Sequence, residues 1–104
     1  MKFNAKKQKE NILTLMRRLL YSPEGLDEKT GELKFARILN PSGYPRFHLY
    51  ISETQSEFIF NLHLDQKKPS YQGSAAHNAE YEGEIIEAEI ERIKDFVHKG
   101  EPKA

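Results

Sequence analysis

Hydrophobic residues recur along this chain with two different periods, and the change of period marks its elements. Over Asn4 to Tyr21, Ile12, Leu15, Met16, Leu19 and Leu20 return at helical spacing while Lys6, Lys7, Glu10, Arg17 and Arg18 fall on the other side. That pattern predicts an amphipathic helix. Asn4 is its expected N-cap, and Ser22-Pro23 followed by Gly25 its expected stop, because the residue before a proline is pushed out of helical conformation.

A polar connection containing Glu24-Gly25 and Lys29-Thr30-Gly31 leads into three expected strands, at about Leu33 to Leu39, Arg46 to Ser52 and Phe58 to Leu64. The turns between them, Asn40 to Pro45 and Glu53 to Glu57, are short enough to reverse the chain directly, which predicts an antiparallel meander. Strands two and three alternate cleanly. Phe47, Leu49, Ile51 and Phe58, Phe60, Leu62, Leu64 point one way, and His48, Tyr50, Ser52 and Ile59, Asn61, His63, Asp65 the other. The first strand does not choose: Leu33, Phe35 and Leu39 share a side with Arg37, while Ala36 and Ile38 lie opposite with Lys34.

Residues 65 to 82 show neither period and read as a long loop, with a short helical turn near Ser74 to Asn78 as the element such a loop could hide. A second helix follows over about Glu84 to His98, carried by Ile86, Ile90, Ile93 and Val97 and ended by Gly100 and Pro102. The expected fold is a two-layer α+β domain of order αβββα spanning residues 1 to 104, both helices covering one face of a three-stranded antiparallel sheet.

Composition narrows the function classes. Sixteen Lys plus Arg balance sixteen Asp plus Glu, so no overall field draws the chain to nucleic acid or an anionic membrane. The charge is uneven, however: residues 1 to 21 carry six Lys or Arg against one Glu, and residues 80 to 104 eight Asp or Glu against four Lys or Arg. With no cysteine, disulfides, zinc-thiolate sites and cysteine nucleophiles are excluded. No apolar run approaches the roughly 20 residues of a membrane span, and the lysine-rich start lacks an apolar signal core. A cytoplasmic protein without membrane association is the expectation.

The polar side of the hairpin carries the candidate chemistry. A turn centred on Gln55 and Ser56 places His48 opposite His63 and Tyr50 opposite Asn61, with Asp65 one pleat beyond and Arg46 at the edge. Imidazole and carboxylate ligands suit a divalent metal such as zinc, and His48, His63, Asp65 and the loop residue His77 are the candidate ligands. Without a metal, two histidines near neutral pKa can act as acid and base on a phosphate ester held by Arg46, Lys67 or Lys68. Lys67, Lys68, Tyr71 and His77 also stand where the loop can fold over the polar face, adding rings that stack on a ligand.

The predicted element order is similar to that of double-stranded RNA-binding domains, with Lys67-Lys68 in place of their basic cluster. The likeness covers topology alone, and the last helix here begins with acidic residues that repel phosphate. The reading taken forward is a small non-enzymatic binding or accessory domain that needs no cofactor. It contacts a protein or small ligand through the polar sheet face and the loop over 65 to 82, and can form a homodimer through a free sheet edge or the open face. A metal- or histidine-dependent hydrolase at the same residues is the alternative, and an RNA-binding module the third reading.

Overall fold

The computed structural model describes residues 1–7, 9–66, 79–80 and 83–99. Its first element corrects the expected helix over Asn4 to Tyr21. Residues 2–6 form a strand, β1 (Lys2–Lys6), in which Phe3 and Ala5 are buried and Lys2, Asn4 and Lys6 exposed. Helix α1 is confined to Ile12–Arg18, and its N-cap is Asn11, not Asn4: the Asn11 side-chain oxygen accepts the Thr14 N–H at 2.9 Å. The reason is tertiary. The third predicted strand offers residues 2–6 a row of backbone partners, Lys2 opposite Asn61 through Lys6 opposite Glu57, and Phe3 stacks on Phe60 with ring centroids 4.8 Å apart.

The end of α1 also lies earlier than expected. Leu20 takes the left-handed conformation (φ 74), its N–H donates to the Arg17 carbonyl at 3.0 Å, and the Tyr21 N–H donates to the Met16 carbonyl at 2.8 Å. This is a Schellman stop with leucine in the position usually given to glycine. The following residues, expected to be a connection, pair with the next strand as β2 (Ser22–Leu26). β2 is an edge strand exposed at every position, and Pro23 and Gly25 explain why its sequence carries no strand signal. Those two residues and the irregular register between Pro23 and Leu26 also blunt this edge against further pairing.

The three expected strands are present as β3 (Leu33–Ile38), β4 (Arg46–Glu53) and β5 (Glu57–Asp65). The sheet is antiparallel in the order β1-β5-β4-β3-β2. A two-residue strand, β6 (Ala79–Glu80), pairs with β5 beside Leu64 and Asp65, so the expected loop over 65 to 82 contains a short strand. Helix α2 (Glu84–Lys99) closes the order. Among the described residues the architecture is thus α+β with two helices, but the expected three-stranded αβββα order gives way to a larger sheet. Among the described residues, no helix is long and apolar enough to cross a membrane.

The register of β4 and β5 divides their side chains. Phe47 faces Leu64, Leu49 faces Leu62 and Ile51 faces Phe60, and these join Leu15, Met16, Leu19, Ile86, Ile93 and Val97 in one buried cluster. The helices therefore cover that face of the sheet. β3, whose buried side the sequence left open, contributes Phe35 to the same cluster, and Arg37 shares that side because a buried carboxylate receives it. Glu89 of α2, 4% exposed, accepts from Arg37 at 3.0 Å, from Arg92 at 2.9 Å and from the Tyr21 hydroxyl at 2.7 Å. Arg92 also donates to the Leu19 carbonyl at 2.6 Å, so this one network fastens α2 to the end of α1 and to β3. Burial and the Glu89 carboxylate both hold the Tyr21 phenol far above its ordinary pKa.

Candidate functional site

The opposite face of the hairpin carries the candidate site. A turn closed by the Thr54 N–H on the Glu57 carbonyl at 2.8 Å sets the register, and it places His48 opposite His63, Tyr50 opposite Asn61 and Arg46 opposite Asp65. The imidazoles of His48 and His63 have centroids 5.3 Å apart, and the Tyr50 ring stacks on His63 at 5.5 Å. Asp65 sits between the two histidines: its Oδ2 contacts His48 Nδ1 and lies 3.6 Å from His63 Nε2. All these residues, Arg46 at the edge included, were expected to meet on this face.

Less expected is how sheltered the group is. His63 is buried at 9% exposure, and the His48 and Asp65 side chains are only 17% and 21% exposed. Burial pushes the His63 imidazole below its ordinary pKa, and His48 and the terminal ammonium push the same way while Asp65 pulls it up. The net direction favours the neutral ring, the form that offers a lone pair to a metal or a proton donor.

One residue of the site was not legible in the sequence. Glu24 of β2 reaches across from the sheet edge, with Oε1 3.3 Å from His48 Nε2 and Oε2 3.5 Å from the Arg46 guanidinium. Arg46 is held in turn by the Gly43 carbonyl, which accepts its Nε–H at 2.8 Å, and by the Tyr44 ring beneath it. The only signal for Glu24 would have been recognition of β2 as a strand beside β3, and Pro23 and Gly25 erase it. His48, His63 and Asp65 form a group whose potential ligand atoms all lie within 4.8 Å of one another. Lys67, Lys68, Tyr71 and His77, the remaining candidates, lie outside the described residues.

No family model, curated protein or solved structure matches this chain. The functional reading rests on the geometry of the site.

Proposed function

We propose that this chain is a small binding domain, without a reaction of its own, whose recognition surface is the polar face of β4 and β5 flanked by Glu24. One observation carries the reading: on the face that no described helix covers, His48, His63 and Asp65 converge as a sheltered group of hydrogen-bonding atoms, and Glu24 reaches them from the exposed edge strand. A solvated strand face has no need to stack Tyr50 on His63 or to shelter a carboxylate between two imidazoles. The ligand is small or is a short projecting group, since the converging atoms belong to neighbouring rows of one hairpin.

The test is chemical-shift mapping. A 15N-labelled chain is titrated with zinc, inorganic phosphate and short acidic and basic peptides, and the amides of residues 46–50 and 61–65 are expected to move with at least one probe. Shifts confined to other regions, or none with any probe, contradict the reading. The hydrolase alternative is assayed on the same samples with p-nitrophenyl phosphate. Turnover abolished by His63→Ala would replace binding with catalysis.

A further inference from the structure

The geometry points to a divalent transition-metal ion as the ligand of this face, held by His48 Nδ1, His63 Nε2 and the Asp65 carboxylate, with Glu24 orienting His48 from its far side. The inference rests on the binding reading above and names its ligand class. A neutral imidazole carries one N–H. His48 nevertheless has a carboxylate at each ring nitrogen, Asp65 at Nδ1 and Glu24 at Nε2. One N–H satisfies one of these contacts, and a metal ion shared by His48 Nδ1 and Asp65 would satisfy the other.

The position of Asp65 favours the metal. Two ligands bound about 2.1 Å from a tetrahedral ion stand about 3.4 Å apart. Asp65 Oδ2 and His63 Nε2 are already 3.6 Å apart, and His48 Nδ1 faces the same oxygen. That last contact is closer than an ion requires, so the His48 and Asp65 side chains must rotate apart to admit one between them. Glu24 then completes a carboxylate–histidine–metal arrangement: accepting the Nε2–H fixes the tautomer that leaves the Nδ1 lone pair for the ion.

The donor set also limits which metal. Two imidazoles and one carboxylate suit zinc, cobalt, nickel or ferrous iron. Calcium and magnesium prefer six or more oxygens, and the soft thiolate ligands that select copper(I) are missing from a chain with no cysteine. Three protein ligands leave a further position for water or for a donor atom of another molecule.

Cobalt(II) titration of the metal-free full chain tests this directly. One ion per chain is expected, with visible absorption bands of low-coordinate cobalt that zinc displaces. Asp65→Asn and His63→Ala should abolish stoichiometric uptake, while near-UV circular dichroism of Asp65→Asn confirms that it stays folded. Glu24→Ala should weaken uptake about tenfold to a hundredfold, with partial recovery in Glu24→Gln, whose amide oxygen still accepts the Nε2–H. No cobalt or zinc bound by the wild-type chain overturns the proposal, as does uptake unchanged in Asp65→Asn. If the chain takes no metal while residues 46–50 and 61–65 still respond to phosphate or a peptide, the metal fails and the binding face stands. Failure of every probe removes both.

Discussion

Glu89 and Tyr21 show how single residues set the stability of this chain. A carboxylate buried in a helix-covered face costs several kcal/mol unless paired, and here two guanidinium groups and a phenol meet it. Glu89→Ala strands Arg37, Arg92 and the Tyr21 hydroxyl at once. It should lower unfolding stability in urea by about 3 kcal/mol, and a loss below about 1 kcal/mol, the size of a surface pair, would mean the network is ornamental. The raised Tyr21 pKa makes an alkaline prediction. Below pH 10 the phenol is protonated in both states, so its contribution is fully present there. As pH rises past 10 the unfolded chain releases a proton that the folded chain keeps, and stability falls. Absorbance near 295 nm should therefore show Tyr21 ionising only as the chain unfolds, and Tyr21→Phe should flatten the alkaline loss. Equal slopes in the two chains would contradict this.

Among elements, those with a strong period-two pattern were legible and those placed by tertiary pairing were not. β4 and β5 alternate over eight and nine residues, and their register follows from a turn of fixed length. The segment before α1 is different. Phe3 and Ala5 are also compatible with a helical start, and only the presence of β5 beside them selects the strand. β2 carries neither period and exists because β3 supplies its partners. Cα secondary shifts should accordingly report extended conformation over residues 2–6 and helix beginning at Ile12, whereas continuous helical shifts from Asn4 would restore the sequence expectation. Asn11→Ala should cost about 1 kcal/mol as loss of an N-cap, and Asn4→Ala close to nothing by the same mechanism. Phe3→Ala removes the ring stacked on Phe60 and should cost about 3 kcal/mol by leaving a cavity against β5.

At the scale of the whole molecule, the sheet separates two kinds of chemistry. Its helix-covered face collects the apolar side chains and one satisfied ionic network, and its other face collects imidazoles, carboxylates and a phenol. That His48 and His63 share a face was readable from alternation, because a strand's side-chain period is exact, and their pairing from the turn centred on Gln55 and Ser56. The reach of Glu24 was not, because it depends on which strand flanks β3. The measurement that tests this division most directly is the set of nuclear Overhauser contacts among aromatic and imidazole rings in the 13C-labelled chain. Contacts between the rings of His48 and His63 and between those of His63 and Tyr50 are predicted, with none from these rings to Phe47, Leu49 or the apolar residues of α2. Rings of His48 and His63 that lack mutual contacts, or that touch Ile86 or Ile93, would contradict the account.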